Sequence, residues 1–416
     1  MKNRILNIYE RIDSDLIIYY LSFVYIFGIV FQNITKIPLT FGIVFTTFFW
    51  LIKPNYSQKW KLLKINKSHL ALVVFYFIML ISAFWSENSH NFGRLIQLKL
   101  SLLLTTLVWS STLLTQKQIH RLLLFFISIF AIHLCIDHLY SFISNHAYDA
   151  HECSIVTPNR KHYLGLLTLF SFGISAFLAI KSISKKRILY IIFSLFFVYN
   201  VFYIGARIHL VSLIIMSIWL FGLMVKSKLK TKHVVLSIST IICIGTGFFF
   251  GSERLQYKVN ETKDEIIKMF DDKHEKNMNP RMYIWPSSIE VIKDNFWLGC
   301  GLGDGQDELN KKTDLVETLF WIDGANTKLS DKNINSHSQY FEIMTQTGFI
   351  GLLIFLLALF YSFKQRNAMT SVILIAVCFS MLTESILERQ MGVVFFAFFF
   401  SLLSQTHQNK VDSSKI

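Results

Sequence analysis

The chain of 416 residues is too apolar for a soluble protein of this size, because 53% of its residues are hydrophobic, 15% are aromatic and only 16% are charged. Its formal net charge of +14 would suit a nucleic-acid-binding protein if the basic residues formed one patch or stripe. They are instead divided among the segments between apolar runs, so we expect membrane lipids as partners and no nucleic acid.

In chain order, apolar runs long enough to cross ~30 Å of hydrocarbon as helices recur along the whole sequence. The predicted fold class is therefore all-α, a polytopic membrane protein forming a single membrane domain over residues 1–416. The short second run would alternatively form a re-entrant pair with its neighbour. The first run lacks an A-x-A-like cleavage site and is predicted to span rather than to be a signal peptide. About twelve spans are predicted, near 16–35, 37–52, 69–85, 100–116, 122–142, 163–180, 188–206, 208–225, 234–250, 340–363, 369–385 and 390–406.

The positions of lysine and arginine predict which side of the membrane each loop occupies. The alternate loops that include both termini hold 22 of these residues, whereas the opposite short loops hold seven. By the positive-inside rule both termini are cytoplasmic, and residues 251–338 form one long extracytoplasmic loop. This loop carries 12 basic and 16 acidic residues, so the excess positive charge of the chain lies elsewhere.

The long loop is predicted to contain short helices. An amphipathic helix is expected from Arg254, and a second short helix after Pro280, with Trp285 and Trp297 suited to the membrane interface. The following GCGLGDG segment is dense in glycine but lacks GxGxxG spacing and a preceding strand. A turn or substrate-approach loop is therefore favoured over a nucleotide site.

Three side chains on the predicted outer side are candidates for chemistry. Arg207 lies where the seventh and eighth apolar runs meet, Arg281 directly follows Pro280, and His337 precedes the tenth run. Each also has an ordinary interpretation: a snorkelling arginine, a solvated charge and an interfacial packing residue, respectively. We expect the helix after His337 to be capped by one of three residues, Asn335, Ser336 or Ser338.

Together these residue types suit glycosyl transfer from a lipid-linked diphosphate. Guanidinium groups pair with phosphate oxygens bidentately and stay charged, so they stabilise a diphosphate leaving group without metal. Histidine accepts a proton from an attacking sugar hydroxyl near neutral pH. The result would be an inverting centre, and neither a metal nor a cofactor is expected. The five cysteines include no CxxC pair, and a bridge between Cys153 and Cys300 or two unpaired thiols are both open.

The blocks RMYIWPSSIEVIKDNFWLGCGLG (281–303) and HSQYFEIMTQTGFIG (337–351) resemble the bacterial O-antigen ligase and polymerase superfamily. The resemblance covers a core region of about 205–351, and implies about twelve spans, a large periplasmic loop late in the chain and a location in the bacterial inner membrane. It also implies an undecaprenyl-diphosphate-linked glycan donor and a lipid A-core or glycan acceptor.

By motif match, the resemblance assigns Arg207, Arg281 and His337 to donor binding and acceptor activation. Ser338 stands where many members have asparagine, which leaves it a substrate-binding candidate. Arg160, before the sixth span, is a secondary candidate for the same anionic substrate, with ordinary interfacial charge as its alternative.

The implied activity leaves several functions to compare. A ligase is favoured over a polymerase, which uses the same donor. A metal-dependent membrane glycosyltransferase is disfavoured, because its first outer loop would carry an acidic residue and TKIP has none. A transporter is disfavoured because the ionisable residues cluster at one interface and no matching halves are visible.

Overall fold

The computed structural model describes residues 14–143, 161–226, 279–314, 334–365 and 367–404, with isolated positions between 247 and 263 and parts of 320–328. In that part of the chain the helices are α1 (Ser14–Phe31), α2 (Ile37–Ile52), α3 (Tyr56–Ile65), α4 (Lys67–Ile81), α5 (Ser89–Ser111), α6 (Gln116–Ile143), α7 (Lys161–Lys181), α8 (Lys186–Ile204), α9 (Arg207–Lys226), α10 (Arg281–Asp294), α11 (Gly305–Asp314), α12 (Gln339–Lys364), α13 (Ala368–Thr383) and α14 (Gln390–Leu403). Short 3-10 turns occupy Ser82–Phe84 and Ile386–Glu388. Strands β1 (Phe320–Ile322) and β2 (Ala325–Thr327) pair antiparallel.

Among these described helices, eight are long and apolar enough to cross a membrane, which confirms a helical multi-pass membrane protein. Helices α2 and α3 meet at a bend of 116°, and together they pass the same test as one broken span or a re-entrant loop. Helices α13 and α14 are apolar but shorter, with 16 and 14 residues. The predicted span 234–250 and most of the helix expected from Arg254 lie outside the described residues. The count of twelve, the single domain and the sidedness therefore stay predictions.

Helix α14 occupies the centre of the bundle. Its residues from Met391 to Leu403 are all buried, in contrast to the outer helices, each of which exposes apolar side chains on one face. The ring of Phe399 lies 4.7 Å from that of Phe126 and 4.9 Å from that of Phe170. A helix that is apolar on every face fits either lipid or a protein core, and the burial of α14 shows that other helices surround it.

Helix α12 is interrupted at Gly348, where φ is +63° and ψ is −166°. The interruption removes helical hydrogen bonds at a buried position, where backbone polar groups need other partners. The turn 296–301 provides those partners, since it exchanges four backbone hydrogen bonds with residues 345–350. These are Phe349 N to Phe296 O (2.8 Å), Ile350 N to Trp297 O (3.3 Å), Cys300 N to Thr345 O (2.9 Å) and Gly301 N to Gln346 O (3.2 Å).

Replacing Gly348 by alanine is expected to destabilise the protein strongly. The new Cβ would overlap the backbone carbon and oxygen of Trp297, and the backbone conformation is one that residues other than glycine rarely adopt. Thermal unfolding of purified protein in detergent measures the effect. Gly222→Ala is the matched control, because its Cβ would have nothing within 4 Å. An unchanged melting temperature for Gly348→Ala would show that the turn 296–301 does not fix the break in α12.

Candidate functional site

One end of the helix bundle carries a concentration of ionisable side chains. We call it the outer end, after the predicted sidedness; helices α7, α9 and α12 begin there and α13 ends there. The outer polar cluster is defined here as Arg281, His337, Glu384, His162 and His209. These residues come from five separate segments, so the fold and not local sequence brings them together.

Glu384 and His337 form the centre of this cluster. Glu384 is the residue directly after α13 and is 6% exposed. Its Oε2 lies 3.4 Å from Nδ1 of His337, whose side chain is 32% exposed. Burial raises the pKa of Glu384, but the hydrogen bond from His337 and the charges of His162, His337 and Arg281 outweigh burial and lower it below the usual value. A carboxylate that accepts a hydrogen bond from Nδ1–H favours the tautomer whose lone pair is on Nε2.

The backbone around His337 is held in an unusual conformation. His337 has φ of +47°, in the left-handed region that non-glycine residues rarely occupy. Its N–H donates to Asn335 Oδ1 at 3.1 Å, and the Ser336 N–H donates to Glu342 Oε2 at 3.1 Å. The Ser336 hydroxyl donates to the same Glu342 oxygen, and Trp285 Nε1 donates to the Ser336 carbonyl at 3.1 Å. These hydrogen bonds hold the backbone of His337 in its strained conformation. Such strain is typical of positions where the structure fixes the orientation of a side chain.

Arg281 reaches the same place from α10. It is the first residue of that helix, directly after Pro280, and its N–H donates to Asn279 Oδ1 at 3.1 Å. Its guanidinium Nη2 donates to the carbonyl of Thr383 at 3.0 Å, one residue before Glu384. The end of α13 therefore contacts both side chains: Arg281 at the Thr383 carbonyl and His337 at the Glu384 carboxylate. The charge of Arg281 also helps to lower the pKa of Glu384.

His162 and His209 extend the cluster into the bundle. Their ring centroids are 6.3 Å apart, and His209 Nε2 lies 3.1 Å from the Ser380 hydroxyl. Ser380 lies one helical turn before Glu384 on α13. Gly165 leaves the room that the His209 ring occupies, because a Cβ there would overlap the ring.

The five predicted site residues do not all lie together in the structure. Arg281 and His337 come together. Arg207 begins α9, two residues before His209, and so lies at the same end of the bundle. Arg160 lies outside the described residues, next to the start of α7. Ser338 is buried at the N-cap position of α12.

The capping expectation for Ser338 needs a correction. Its side chain makes no capping hydrogen bond. The Glu342 carboxylate instead reaches back to the N–H of Ser336, while the Glu342 N–H donates to the Ser338 carbonyl at 2.9 Å. The Glu342 carboxylate thus ties the first turn of α12 to the segment before it, without replacing the capping bond that a serine hydroxyl would make to the second or third N–H of the helix.

Glu384, His162 and His209 are the residues that sequence reasoning missed. Glu384 falls next to the last residue of the predicted span 369–385, but α13 ends at Thr383 and Glu384 lies just beyond it. An ionisable residue within a predicted span is a functional candidate by default, and that signal was available. For the two histidines, no sequence signal indicates that their helices meet.

The glycine-rich segment 299–305 is a turn docked on residues 82–91, which run from the 3-10 turn after α4 into the first turn of α5. Its backbone groups are hydrogen-bonded to the chain itself, which is the interpretation favoured over a phosphate cradle. The contacts are Leu302 N to Ser82 Oγ (3.1 Å), Gly303 N to Ser86 Oγ (2.8 Å), Glu87 N and Asn88 N to the Asp304 carboxylate (2.8 and 2.7 Å) and Asn91 Nδ2 to Gly303 O (2.7 Å).

Cys300 within this turn is a free thiol. Burial, with the nearby carboxylates of Glu308 and Asp304, raises its pKa to about 12. The thiol stays protonated and donates to the Thr345 carbonyl at 3.0 Å. Cys153, the partner considered for a bridge, lies outside the described residues.

A buried ion pair fixes the turn that follows Glu384. Lys99 of α5 is 3% exposed and pairs with Glu388, which is 8% exposed. The Leu387 N–H donates to Gln339 Oε1 at 2.6 Å, which joins this turn to the start of α12. The two segments that carry Glu384 and His337 are thus connected to each other and to α5.

The geometry can be compared with known protein families. Residues 191–356 match the family model described as O-antigen ligase. This match confirms the resemblance to the O-antigen ligase superfamily. The O-antigen ligase match contains Arg207, Arg281 and His337 and ends before Glu384. Its family comprises membrane glycosyltransferases of the ligase and polymerase type. No curated protein matches the chain.

Among the described residues, no group of three or more His, Cys, Asp or Glu side chains is arranged to hold a metal ion. The candidate site of this O-antigen ligase-like chain comprises arginine, histidine and glutamate side chains. Metal independence of the reaction stays a prediction that rests on the chemistry of those side chains.

Proposed function

We propose that the protein is a metal-independent, inverting glycosyltransferase of the O-antigen ligase type. It transfers a glycan from undecaprenyl diphosphate to an acceptor sugar on the periplasmic side of the inner membrane. One observation carries the proposal: the Arg281 guanidinium and the His337 imidazole bind adjacent residues at the end of α13, the Thr383 carbonyl and the buried Glu384 carboxylate.

In the proposed reaction, an acceptor hydroxyl attacks the anomeric carbon of the donor from the face opposite the diphosphate. A new carbon–oxygen bond forms while the bond to the diphosphate oxygen breaks and its electron pair leaves with the diphosphate. The hydroxyl proton passes to Nε2 of His337, and Glu384 on Nδ1 stabilises the imidazolium that results. Attack from the opposite face inverts the anomeric configuration.

The leaving group is an undecaprenyl diphosphate whose negative charge increases as the bond breaks. Arg281 is proposed to bind it, because its guanidinium contacts the Thr383 carbonyl, one residue before the carboxylate that contacts His337. Arg207, at the start of α9, is proposed as the second guanidinium, and Arg160 and Ser338 as further substrate contacts. Arginine supplies permanent positive charge and bidentate geometry, so the proposed mechanism needs no metal to neutralise the diphosphate.

The acceptor decides whether the reaction is ligation or polymerisation. We propose lipid A-core as acceptor, because the family description that residues 191–356 match is that of O-antigen ligase. A polymerase would use the same donor and the same leaving-group contacts, and would differ in taking a second lipid-linked glycan as acceptor.

Deletion of the chain from its native cell tests this proposal. We expect surface glycan attached to lipid A to be lost while full-length glycan accumulates on undecaprenyl diphosphate, measured by gel analysis of both lipid fractions. Restoration by the wild-type chain is the control. Caps of a single repeat would instead identify a polymerase, and unchanged glycan on both lipids would contradict glycosyl transfer altogether.

A further inference from the structure

A cavity lies at the end of the bundle opposite the outer polar cluster. Its volume is about 460 Å³, and it opens between the start of α6, the end of α7 and the start of α8. Lys181 at the end of α7 and His162 at its start are separated by 19 residues of one helix, or about 28 Å. The cavity is thus separate from the candidate transfer site. Its polar lining comprises Gln116, His120, Lys181, Ser182, Lys186 and Tyr190.

The polar rim of the cavity is cationic. Lys181 and Lys186 contribute two ammonium groups, and neither forms an ion pair with a carboxylate in the part of the chain that the structure describes. The Lys181 ammonium lies 6.0 Å from the centroid of the Phe177 ring, and His120 Nε2 lies 3.4 Å from the Tyr190 hydroxyl. The rim therefore offers two positive charges that no described carboxylate pairs with, together with several hydrogen-bond donors, within one concave surface.

The inner wall of the cavity is apolar. Leu123, Leu178 and Met369 line it, and they are 2%, 6% and 9% exposed. These side chains come from α6, α7 and α13, so the wall continues into the apolar core of the bundle. A soluble phosphate would occupy only the cationic rim. A molecule with a phosphate beside hydrocarbon fits both parts.

We propose that this cavity binds the phosphate head group of an anionic phospholipid, with part of an acyl chain along the apolar wall. Its position supports a lipid, since the rim lies at the ends of apolar helices, where head groups meet the membrane surface. The segment 181–187 is also one of the lysine- and arginine-rich loops that face the cytoplasm by the predicted sidedness, and anionic lipid is abundant on that side. The lipid binds as a structural component, independent of glycan transfer.

Native mass spectrometry of the purified full-length protein tests this inference. The protein is titrated with phosphatidylglycerol, phosphatidylcholine and inorganic phosphate in separate experiments. We expect phosphatidylglycerol to bind and to survive delipidation. The double variant Lys181→Gln, Lys186→Gln should bind it at least about tenfold more weakly, because each lysine near an anionic lipid contributes measurably. The control is Lys185→Gln, Arg187→Gln, which removes two charges from the same loop at positions outside the cavity lining.

The outcomes separate the possible ligands. Preferential retention of phosphatidylglycerol by wild type and control, with loss in the Lys181 and Lys186 variant, supports the lipid site. Equal binding of phosphatidylcholine would overturn the requirement for an anionic head group. Displacement of the lipid by inorganic phosphate at similar concentration would show that the acyl chain does not contribute to binding. Equal weakening in both double variants would show that only the overall charge of the loop matters, which would overturn the cavity as the binding site.

Discussion

Replacing His337 by alanine is expected to slow glycan transfer by about 100- to 10,000-fold, the contribution that a positioned general base makes. The reason is the contact between His337 Nδ1 and Glu384 Oε2 at 3.4 Å, which leaves Nε2 to accept the proton of the acceptor hydroxyl. The measurement is the turnover number of purified protein with a lipid-linked donor and lipid A-core acceptor.

Two further variants make the His337 result interpretable. His90→Ala is the matched control, because His90 is exposed in the first turn of α5; it should retain full activity. Glu384→Gln keeps the size of the side chain but removes its charge, and we expect turnover to fall about 10- to 100-fold with little change in KM. A His337→Ala protein that folds normally and turns over at the wild-type rate would exclude His337 as the base.

Replacing Arg281 by lysine is expected to lower turnover by about 100- to 1,000-fold, although the charge is conserved. The guanidinium donates one N–H to the Thr383 carbonyl at 3.0 Å, one residue before the Glu384 carboxylate that contacts His337. The ammonium group of lysine lacks the planar set of N–H donors of a guanidinium. It therefore cannot hydrogen-bond the end of α13 and two diphosphate oxygens at the same time. Steady-state turnover with saturating donor measures the loss.

The control for Arg281→Lys is the same substitution at Arg94. Arg94 is exposed on α5 and hydrogen-bonds Asn91 in the same helix, so Arg94→Lys should leave turnover unchanged. Thermal unfolding of both variants separates a catalytic loss from a structural one. If Arg281→Lys transfers glycan as fast as wild type, the proposed diphosphate contact is wrong.

The helical multi-pass architecture and two members of the outer polar cluster could be predicted from sequence. Apolar runs locate helices because the bilayer imposes their length and composition, and eight described helices pass that test. Arg281 and His337 were identified from local motifs, and the structure brings them together. Their common partner could not be predicted, because Glu384 lies 47 residues beyond His337 and the approach depends on how α12 and α13 pack.

Backbone pairing across the site was equally hidden from the sequence. The glycines in 299–305 indicate a turn. They do not indicate that this turn contacts the break at Gly348 and residues 82–91. Those contacts are long-range, and a hydropathy pattern carries no information about them. The Lys99–Glu388 pair is hidden for the same reason, because each residue alone resembles an ordinary interfacial charge.

The most direct test of the proposed site is a structure of the protein with undecaprenyl diphosphate bound. The account predicts that the diphosphate lies at the outer end, with its oxygens within about 3 Å of the Arg281 guanidinium and with His337 Nε2 facing the position of the anomeric carbon. A diphosphate bound away from Arg281, Arg207 and His337 in a catalytically competent preparation would contradict it.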